Sequence, residues 1–275
     1  MRRFLFLLVG GGLLALVLLG VCYVRWHHLW QPDNRRACYA VMPHGDDALQ
    51  VVMIGDSWAG QHQEGCWDTL LRQHIRHLVG RPVRMTSKGK GGEVSRGIYR
   101  LLFESNGAGF RPLLEQAPDY CVISAGINDA TKCLGPSQYV AHCGLIFDLL
   151  LEMGVCPVVL EVPDVDIAFI HGKKPLADKI ADYLKAWMAG CWPYDISSYR
   201  RALHVLLEKK KYKDKVICVP MSGWNTTGKQ LDTPLFQEDR IHLNSRGYER
   251  LDSCIAAAIA QREKRCGRTN LSIDQ

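Results

Sequence analysis

Short apolar runs alternate with amphipathic stretches from residue 49 to residue 262, and this alternation limits the possible folds more than any other feature of the chain. The strand-like runs are residues 49–54, 83–86, 120–124, 157–162 and 216–219. Strands that are apolar throughout are typical of a parallel sheet, because helices cover both of its faces. The pattern predicts a single flavodoxin-like three-layer α/β/α sandwich with a parallel sheet of about five strands, preceded by an N-terminal transmembrane or signal helix.

Apolar residues recur at helical spacing between the predicted strands. Helices are expected around residues 67–78, 139–150 and 199–207, with a last helix after Asn244. The connection formed by residues 163–193 is long for a link between two elements of such a fold. Because it also holds Trp187 and Trp192, we expect it to form a flap over the functional site.

The N-terminus has the pattern of an export segment. Arg2 and Arg3 precede an uncharged apolar run over residues 4–24, and Arg25 follows it. Roughly 20 apolar residues are enough to span a bilayer and exceed the usual apolar region of a cleaved signal peptide. We therefore expect residues 1–25 to be a signal anchor, with a cleaved signal peptide or a lipoprotein signal as alternatives. Residues 26–47 are expected to be a connector, residues 48–266 the folded domain and residues 267–275 a polar tail.

This arrangement predicts that the folded domain lies outside the cytoplasm, in the periplasm or at the cell surface, or is secreted if the signal is cleaved. The charge balance argues against nucleic acid as a partner. The formal net charge is +6, and Arg2, Arg3 and Arg25 contribute three of these charges. The rest of the chain is only weakly basic, and it has no run of basic residues interleaved with aromatic ones.

The chain has eleven cysteines, and none of them stands in a C-x-x-C spacing. Because this spacing is absent, the sequence has no zinc-ribbon or thioredoxin-type redox motif. Cys121, Cys156 and Cys218 lie in strand-like runs and are expected to be small buried side chains. In an exported chain the others are candidates for disulfide bonds. These candidates are Cys38, Cys66, Cys133, Cys143, Cys191, Cys254 and Cys266.

Candidate reactive side chains follow two of the predicted strands and precede the last helix. Ser57 comes just after the first strand, and Asn128 comes just after the third. Asp239 and His242 lie three residues apart before the last helix. Ligands of an open parallel sheet bind beyond the carboxyl ends of its strands. Because a serine nucleophile requires a base, and the base requires an acid that orients it, these residues predict nucleophilic catalysis by a triad.

The same residues resemble the sequence blocks of the SGNH hydrolases, also called the GDSL esterase/lipase family. Residues 55–57 are similar to the nucleophile block, residues 126–129 to the Gly-x-Asn-Asp block, and residues 239–242 to the Asp-x-x-His block. In the glycine block Gly92 aligns best, and Gly91 is the alternative. The resemblance extends over about residues 49–262, with each block at the expected end of a strand.

The resemblance implies a role for each of these residues. Ser57 would be the nucleophile, His242 the general base and Asp239 the acid that orients it. The backbone amides of Ser57 and Gly92 and the side chain of Asn128 would form the oxyanion hole. The resemblance implies further that Asp56 and Asp129 fix their loops through side-chain-to-backbone hydrogen bonds. The reaction needs no cofactor and no metal ion.

The expected function is that of an exported, membrane-tethered serine esterase that acts on acyl esters, chiefly O-acetyl esters, of a glycan or another component of the cell envelope. A lysophospholipase or thioesterase is the nearest alternative. The others are an O-acetyltransferase of glycans, because a sugar hydroxyl can intercept the acyl-enzyme, and a non-catalytic glycan-binding module on the same fold. The expected partners are the acylated substrate and, through residues 4–24, a membrane.

Three aromatic residues bear on the substrate. Trp58 stands next to the nucleophile, where the family commonly has leucine, so its ring either restricts the acyl pocket or packs into the first helix of the domain. Trp187 and Trp192 are expected to stack on sugar rings. The sequence His44-Gly45-Asp46-Asp47 resembles a zinc motif of sugar deacetylases, but it precedes a strand instead of following one, and we expect a polar turn there.

Overall fold

The computed structural model describes residues 2–29, 32–193, 195–224 and 235–271. The chain divides into two units, Met1–Asp33 and Asn34–Gln275. The first unit holds the helix α1 (Arg2–Leu29), whose apolar side chains between Val9 and Val24 are exposed. Among the described residues, no helix combines the length and the apolar character needed to span a bilayer.

The second unit is built on one parallel sheet of five strands. They are β1 (Leu49–Gly55), β2 (Val83–Gly89), β3 (Tyr120–Ser124), β4 (Cys156–Leu160) and β5 (Ile217–Val219). The sheet order is β2-β1-β3-β4-β5, and every neighbouring pair is parallel. The strand order reverses between β1 and β3, and the carboxyl ends of the strands at such a reversal border a crevice. This topology confirms the predicted flavodoxin-like α/β sandwich.

Helices connect these strands and cover the sheet. They are α2 (Ser57–Glu64), α3 (Asp68–Val79), α4 (Ser95–Leu101), α5 (Arg111–Leu114), α6 (Ile127–Thr131), α7 (Pro136–Glu152), α8 (Ile167–Gly172), α9 (Leu176–Met188), α10 (Ile196–Leu207) and α11 (Ser245–Leu271). The helices expected from the apolar periodicity correspond to α3, α7, α10 and α11. The last helix runs to Leu271, five residues beyond the expected end of the domain at residue 266.

The long connection between β4 and α10 differs from the sequence-based expectation. Residues 163–193, expected as a flap over the site, contain the helices α8 and α9, so the segment is a helical excursion. It leaves the sheet at the carboxyl end of β4, the edge at which ligands of this fold bind.

The core confirms the expected burial of the strands. Every residue of β1 and β3 is buried, and α7 contributes Tyr139, Ile146 and Phe147 from one face. Cys121 is buried as expected, whereas Cys156 and Cys218, which lie on the strands nearer the edge, are only partly buried. Every cysteine whose side chain the structure describes has a free thiol. The expected disulfides are therefore not formed among these residues.

The buried imidazole of His62 joins the helix α2 to the helices α3 and α11. His62 of α2 contacts Asp68 of α3 through Nδ1, at 2.8 Å, and Asp252 of α11 through Nε2, at 2.9 Å. Both its side chain and that of Asp252 are inaccessible to solvent. An imidazole that donates to a carboxylate at each nitrogen is protonated. Burial alone would lower the pKa of His62, but the bonds to Asp252 and Asp68 outweigh it and raise that pKa.

Candidate active site

The strand β1 delivers Ser57 to the edge of the sheet through a tight turn. Gly55 ends the strand with φ +154°, and a Cβ atom there would lie 2.2 Å from the carbonyl oxygen of Ser124 on β3. Only glycine lets the two strands end this close together. Asp56 then caps α2, whose first residue is Ser57. The nucleophile candidate therefore stands at the N-terminus of a helix, next to the switch between β1 and β3.

Asp56 holds this turn from inside the protein. Its Oδ1 accepts hydrogen bonds from the backbone N–H of Trp58, at 3.0 Å, and from the hydroxyl of Ser124, at 2.8 Å. The side chain is completely buried. Burial raises the pKa of Asp56 to about 6, although both hydrogen bonds oppose the shift. The predicted structural role of Asp56, fixing the loop through a side-chain-to-backbone bond, agrees with these contacts.

The structure brings Ser57, Asp239 and His242 together although Ser57 and His242 are 185 positions apart in the chain. The Oγ of Ser57 lies 2.8 Å from Nε2 of His242. The Nδ1 of His242 lies 2.5 Å from Oδ2 of Asp239. Burial would raise the pKa of Asp239, but the bonds from the backbone and ring of His242 and from the backbone of Ile241 lower it. Asp239 is thus held ionised beside the imidazole, the arrangement that fixes a histidine as a proton acceptor.

A strained turn positions Asp239 and His242 relative to each other. The Oδ1 of Asp239 accepts hydrogen bonds from the backbone N–H groups of Ile241, at 2.9 Å, and His242, at 3.0 Å. Arg240 between them has φ +63°, in the left-handed region that non-glycine residues rarely adopt. Its guanidinium pairs with Asp166 at 3.2 Å and lies 3.6 Å from the ring centroid of Phe169. The excursion between β4 and α10 therefore supports the loop that carries the base.

The predicted oxyanion residues surround the same hydroxyl. Asn128 lies in α6, just beyond the end of β3, and its Nδ2 donates one hydrogen bond to the carbonyl oxygen of Glu93, at 2.9 Å. An amide nitrogen carries two hydrogens, so a second donor remains for a substrate oxygen. Gly92 has φ +71°, and a Cβ there would meet no atom, so the backbone conformation and not space requires glycine. Gly91 and Gly92 both line the cleft described below.

Asp129 connects the two loops that carry these donors. Its Oδ1 accepts a hydrogen bond from the hydroxyl of Ser95, at 2.6 Å, and its Oδ2 accepts one from the backbone N–H of the same residue, at 2.9 Å. Burial raises the pKa of Asp129, although both bonds from Ser95 oppose the shift. The loop of Gly92 is thereby fixed to the helix of Asn128, and the predicted loop-fixing role of Asp129 agrees with these contacts.

Ser57 and His242 open into a cleft of about 400 Å³. Its lining residues are Ser57, Gly60, Gln61, Glu64, Gly89, Gly91, Gly92, Asn128, Ile241 and His242. Among these described residues, Ile241 alone has an apolar side chain. Gln61 and Glu64 follow Ser57 on α2 at intervals of four and seven residues, which is the spacing of one helix face. Sequence reasoning missed both residues, although this spacing was a sufficient signal.

Trp58 does not restrict the acyl pocket. Its side chain is buried and packs against Phe236, with ring centroids 6.3 Å apart. The indole Nε1–H donates to the carbonyl oxygen of Ile241 at 3.1 Å. Since Ile241 directly precedes His242, the residue after the nucleophile holds the backbone that carries the base. The pocket-wall interpretation of Trp58 is therefore wrong, and the packing interpretation is correct.

Replacing Trp58 by phenylalanine is expected to lower kcat for ester hydrolysis about threefold to tenfold, because one hydrogen bond of roughly 0.5–1.5 kcal/mol is lost from the base-bearing loop. The ring still packs against Phe236, so KM and the order of preference among acyl chain lengths should stay unchanged. Steady-state kinetics on short-chain esters check this. Trp67→Phe is the matched control, because Trp67 stacks on Tyr248 away from the cleft. A Trp58→Phe enzyme with full kcat and a shifted chain-length optimum would restore the pocket-wall interpretation.

Trp187 and Trp192 also lie elsewhere than expected. They border a separate cavity of about 320 Å³ together with Tyr183, Gly190 and Pro193. The lining of this cavity and the lining of the catalytic cleft have no residue in common. The expectation that they cover the site is wrong. The reason is that α9 displays Trp187 on an outward face and that Trp192, which follows the helix, is exposed beside it.

One group of residues has the composition of a metal site. Among the described residues, Cys133, His171 and Asp182 are the only three potential ligands close enough together to hold one ion. Lys174 and Lys185 donate to the carboxylate of Asp182, at 2.6 and 3.2 Å, so this carboxylate is already neutralised by two ammonium groups. The sequence around His44 is not part of this group. His44 contacts Asp46 and Asp119, as a polar turn would.

Comparison with known proteins agrees with this geometry. A family model described as the GDSL-like lipase/acylhydrolase family matches residues 53–250. No curated protein matches the chain. Among solved structures, a lipase/acylhydrolase from Enterococcus faecalis has 17% sequence identity and a TM-score of 0.52, with 78% of this chain and 96% of that chain covered. The esterase EstA from Pseudoalteromonas sp., in a structure inhibited by monoethylphosphonate, has 16% identity and a TM-score of 0.52, with 78% and 97% covered. TesA has 18% identity and a TM-score of 0.52, with 76% and 97% covered.

Proposed function

Because the chain belongs to the GDSL-like lipase/acylhydrolase family, we propose that it is a serine esterase that removes small acyl groups, chiefly acetyl, from the hydroxyl groups of a carbohydrate or another polar alcohol of the cell envelope. The observation that carries this proposal is the lining of the catalytic cleft. Backbone glycines and polar side chains form its walls, and Ile241 contributes the single apolar side chain among the described lining residues. A long acyl chain gains affinity from apolar side chains along the walls, and among the described lining residues Ile241 alone supplies one.

In the proposed mechanism, Oγ of Ser57 attacks the ester carbonyl carbon while Nε2 of His242 accepts the hydroxyl proton. The carbonyl oxygen becomes an oxyanion, which the backbone N–H groups of Ser57 and Gly92 and the side-chain amide of Asn128 stabilise. The protonated His242 then donates the proton to the departing alcohol oxygen, and the acyl group stays on Ser57. A water molecule repeats the sequence on the acyl-enzyme, with His242 again as base. Asp239 stabilises the imidazolium in both halves of the reaction.

Chain-length selectivity is expected to favour acetate. A series of p-nitrophenyl esters from acetate to palmitate should give the highest kcat/KM at two to four carbons, because each added methylene would contribute up to about 0.8 kcal/mol only where an apolar wall receives it. The measurement is kcat/KM for each ester under identical conditions. An optimum at medium or long chains would contradict the O-acetyl proposal and favour the lysophospholipase alternative.

A second proposal concerns location and rests on the sequence of residues 1–25 alone. A basic start followed by an uncharged apolar run is typical of an export signal, and we propose that the catalytic domain lies outside the cytoplasm with the apolar run of residues 4–24 retained as an anchor. The native protein should then stay in the membrane fraction after a carbonate wash. Intact-mass measurement should show the N-terminal segment in place. A native mass that lacks residues 1–25 would contradict the anchor and indicate a cleaved signal.

A further inference from the structure

Helix α9 displays its apolar face to solvent. Leu176, Ile180, Tyr183, Leu184 and Trp187 recur at the spacing of one helix face and are between 46% and 77% exposed. Trp192, which follows the helix, is 73% exposed and extends the same patch across the cavity that it borders with Trp187. We call these six residues the outer face of α9. Six large side chains at such exposure offer on the order of 700 Å², more than the few hundred Å² that soluble monomers usually leave open.

The opposite side of α9 is held by polar contacts, which fix the helix in this orientation. Asp182 is buried beneath the helix and accepts hydrogen bonds from Lys174, at 2.6 Å, and Lys185, at 3.2 Å. His171 lies 3.5 Å from the same carboxylate. Rotating α9 to bury its apolar residues would expose Asp182 and break its contacts with Lys174 and His171, which lie outside the helix. The inward polar contacts of α9 thus keep its apolar side exposed to solvent.

The helix is also fastened to the elements that carry the catalytic site. Lys174 donates a second hydrogen bond, at 3.2 Å, to the carbonyl oxygen of Thr131, which ends the helix of Asn128. Phe169, in the preceding helix, lies beneath the guanidinium of Arg240 in the catalytic loop. Whatever covers the outer face therefore contacts a segment that is joined to the catalytic loops.

The residue types and the charge of this segment favour one kind of partner for the outer face. Residues 172–193 contain four lysines and two aspartates, so the segment is formally basic by two charges. Aliphatic side chains flanked by tryptophan, tyrosine and lysine are typical of helices that lie in the interface of an anionic bilayer. A second copy of the chain, docked across a two-fold axis, would place the same lysines against each other. A sugar ring would stack on the tryptophans but would leave Leu176 and Ile180 uncovered.

We propose that the outer face of α9 docks on the surface of an anionic lipid bilayer, with its apolar side chains in the acyl region and with Lys173 and Lys179 among the headgroup phosphates. This surface is separate from the catalytic cleft. The docking holds the helical excursion, and with it the loop of His242, at the level of the membrane. The proposal does not depend on the ester substrate, so the two proposals can fail separately.

Hydroxyl-radical oxidation of the full chain bound to vesicles tests the proposal. The oxidation rate of each peptide, read by mass spectrometry, is compared with the rate of the same peptide in the denatured chain. With vesicles of phosphatidylcholine and phosphatidylglycerol, the peptides that contain Leu184 and Trp187 should be protected at least about fivefold. Val205, a 68% exposed apolar residue of α10, is the matched reference and should be oxidised freely. Equal protection of the outer-face peptides and of the peptide that contains Val205 would overturn the proposal.

Charge reversal separates the bilayer from the other occupants. The variant Lys173→Glu/Lys179→Glu should lose protection with the anionic vesicles, whereas Lys209→Glu/Lys210→Glu, which changes the net charge equally at another exposed site, should keep it. Protection without vesicles that increases with protein concentration would show self-association and overturn the proposal. Protection of Trp187 and Trp192 by a soluble oligosaccharide, with no effect of vesicles, would show a glycan platform and overturn it as well.

Discussion

Replacing Ser57 by alanine is expected to lower kcat for ester hydrolysis by about 10⁴-fold or more, because the oxygen atom that attacks the carbonyl carbon is removed. The substitution of His242 by alanine should cost a similar factor, since no other group of the described site stands at hydrogen-bond distance from the Ser57 hydroxyl to accept its proton. The two losses should not add. A double variant is expected to be about as slow as either single variant, because the residues act as one unit.

Steady-state kinetics on p-nitrophenyl acetate check both losses. Ser253→Ala is the matched control, because Ser253 is exposed on α11 and bonds only within its own helix turn and to His74. Circular dichroism and thermal unfolding should be unchanged in all of these variants. A folded Ser57→Ala protein that keeps a tenth of the wild-type kcat would contradict the assigned mechanism.

Removing the His62 imidazole is expected to produce the largest loss of stability. A His62→Leu substitution leaves Asp68 and the completely buried Asp252 without the cation that both contact. Breaking a buried pair by deleting one partner costs about 3–5 kcal/mol of the free energy of unfolding. In a domain of this size the midpoint of thermal unfolding should fall by roughly 10 °C. His77→Ala, at an exposed position of α3, should change it by less than a degree or two.

The sign of the pH dependence follows from the raised pKa of His62. A group with a raised pKa in the folded state contributes stability fully below its ordinary value of 6.5, and this stability is lost as the pH rises through the folded value. The difference between wild type and His62→Leu should therefore be largest in mildly acidic solution and shrink toward alkaline pH. Denaturant unfolding at several pH values measures it. A difference that grows with pH would show that His62 is neutral in the folded protein.

The variant His62→Leu/Asp252→Leu distinguishes an unpaired charge from a packing defect. If the cost of His62→Leu comes from leaving Asp252 buried and uncompensated, removing that carboxylate should recover part of the lost stability. A double variant that is less stable than either single variant would assign the cost to packing.

The sequence was sufficient to predict the sheet and the positions of the reactive residues. Strands buried on both faces leave continuous apolar runs, and residues 120–124 were predicted to the residue. Ser57 and Asn128 directly follow such strands, so their meeting at one edge follows from parallel topology alone. The distance from Ser57 to His242 does not follow in this way. It depends on a loop whose shape comes from the left-handed Arg240 and from the contact of Trp58 with Ile241.

The features that sequence reasoning missed share a physical cause. Periodicity shows that α9 has an apolar face but not which way that face points. The contacts of the buried Asp182 with Lys174 and His171, outside the helix, decide the orientation. Trp58 was ambiguous because an indole can bury its ring and still donate from Nε1. The contacts of His62 join residues that are up to 190 positions apart. Such pairings arise only when helices pack, and no local pattern records them.

Covalent trapping tests the central claim, that Ser57 is the nucleophile and His242 its base, most directly. A fluorophosphonate should react with the hydroxyl of an activated serine and form a stable ester there. We expect the wild-type protein to carry one adduct on the peptide that contains Ser57. Labelling should be absent in Ser57→Ala, much slower in His242→Ala and normal in Ser253→Ala. Undiminished labelling of the Ser57→Ala protein, or an adduct on another serine of the wild type, would contradict the claim.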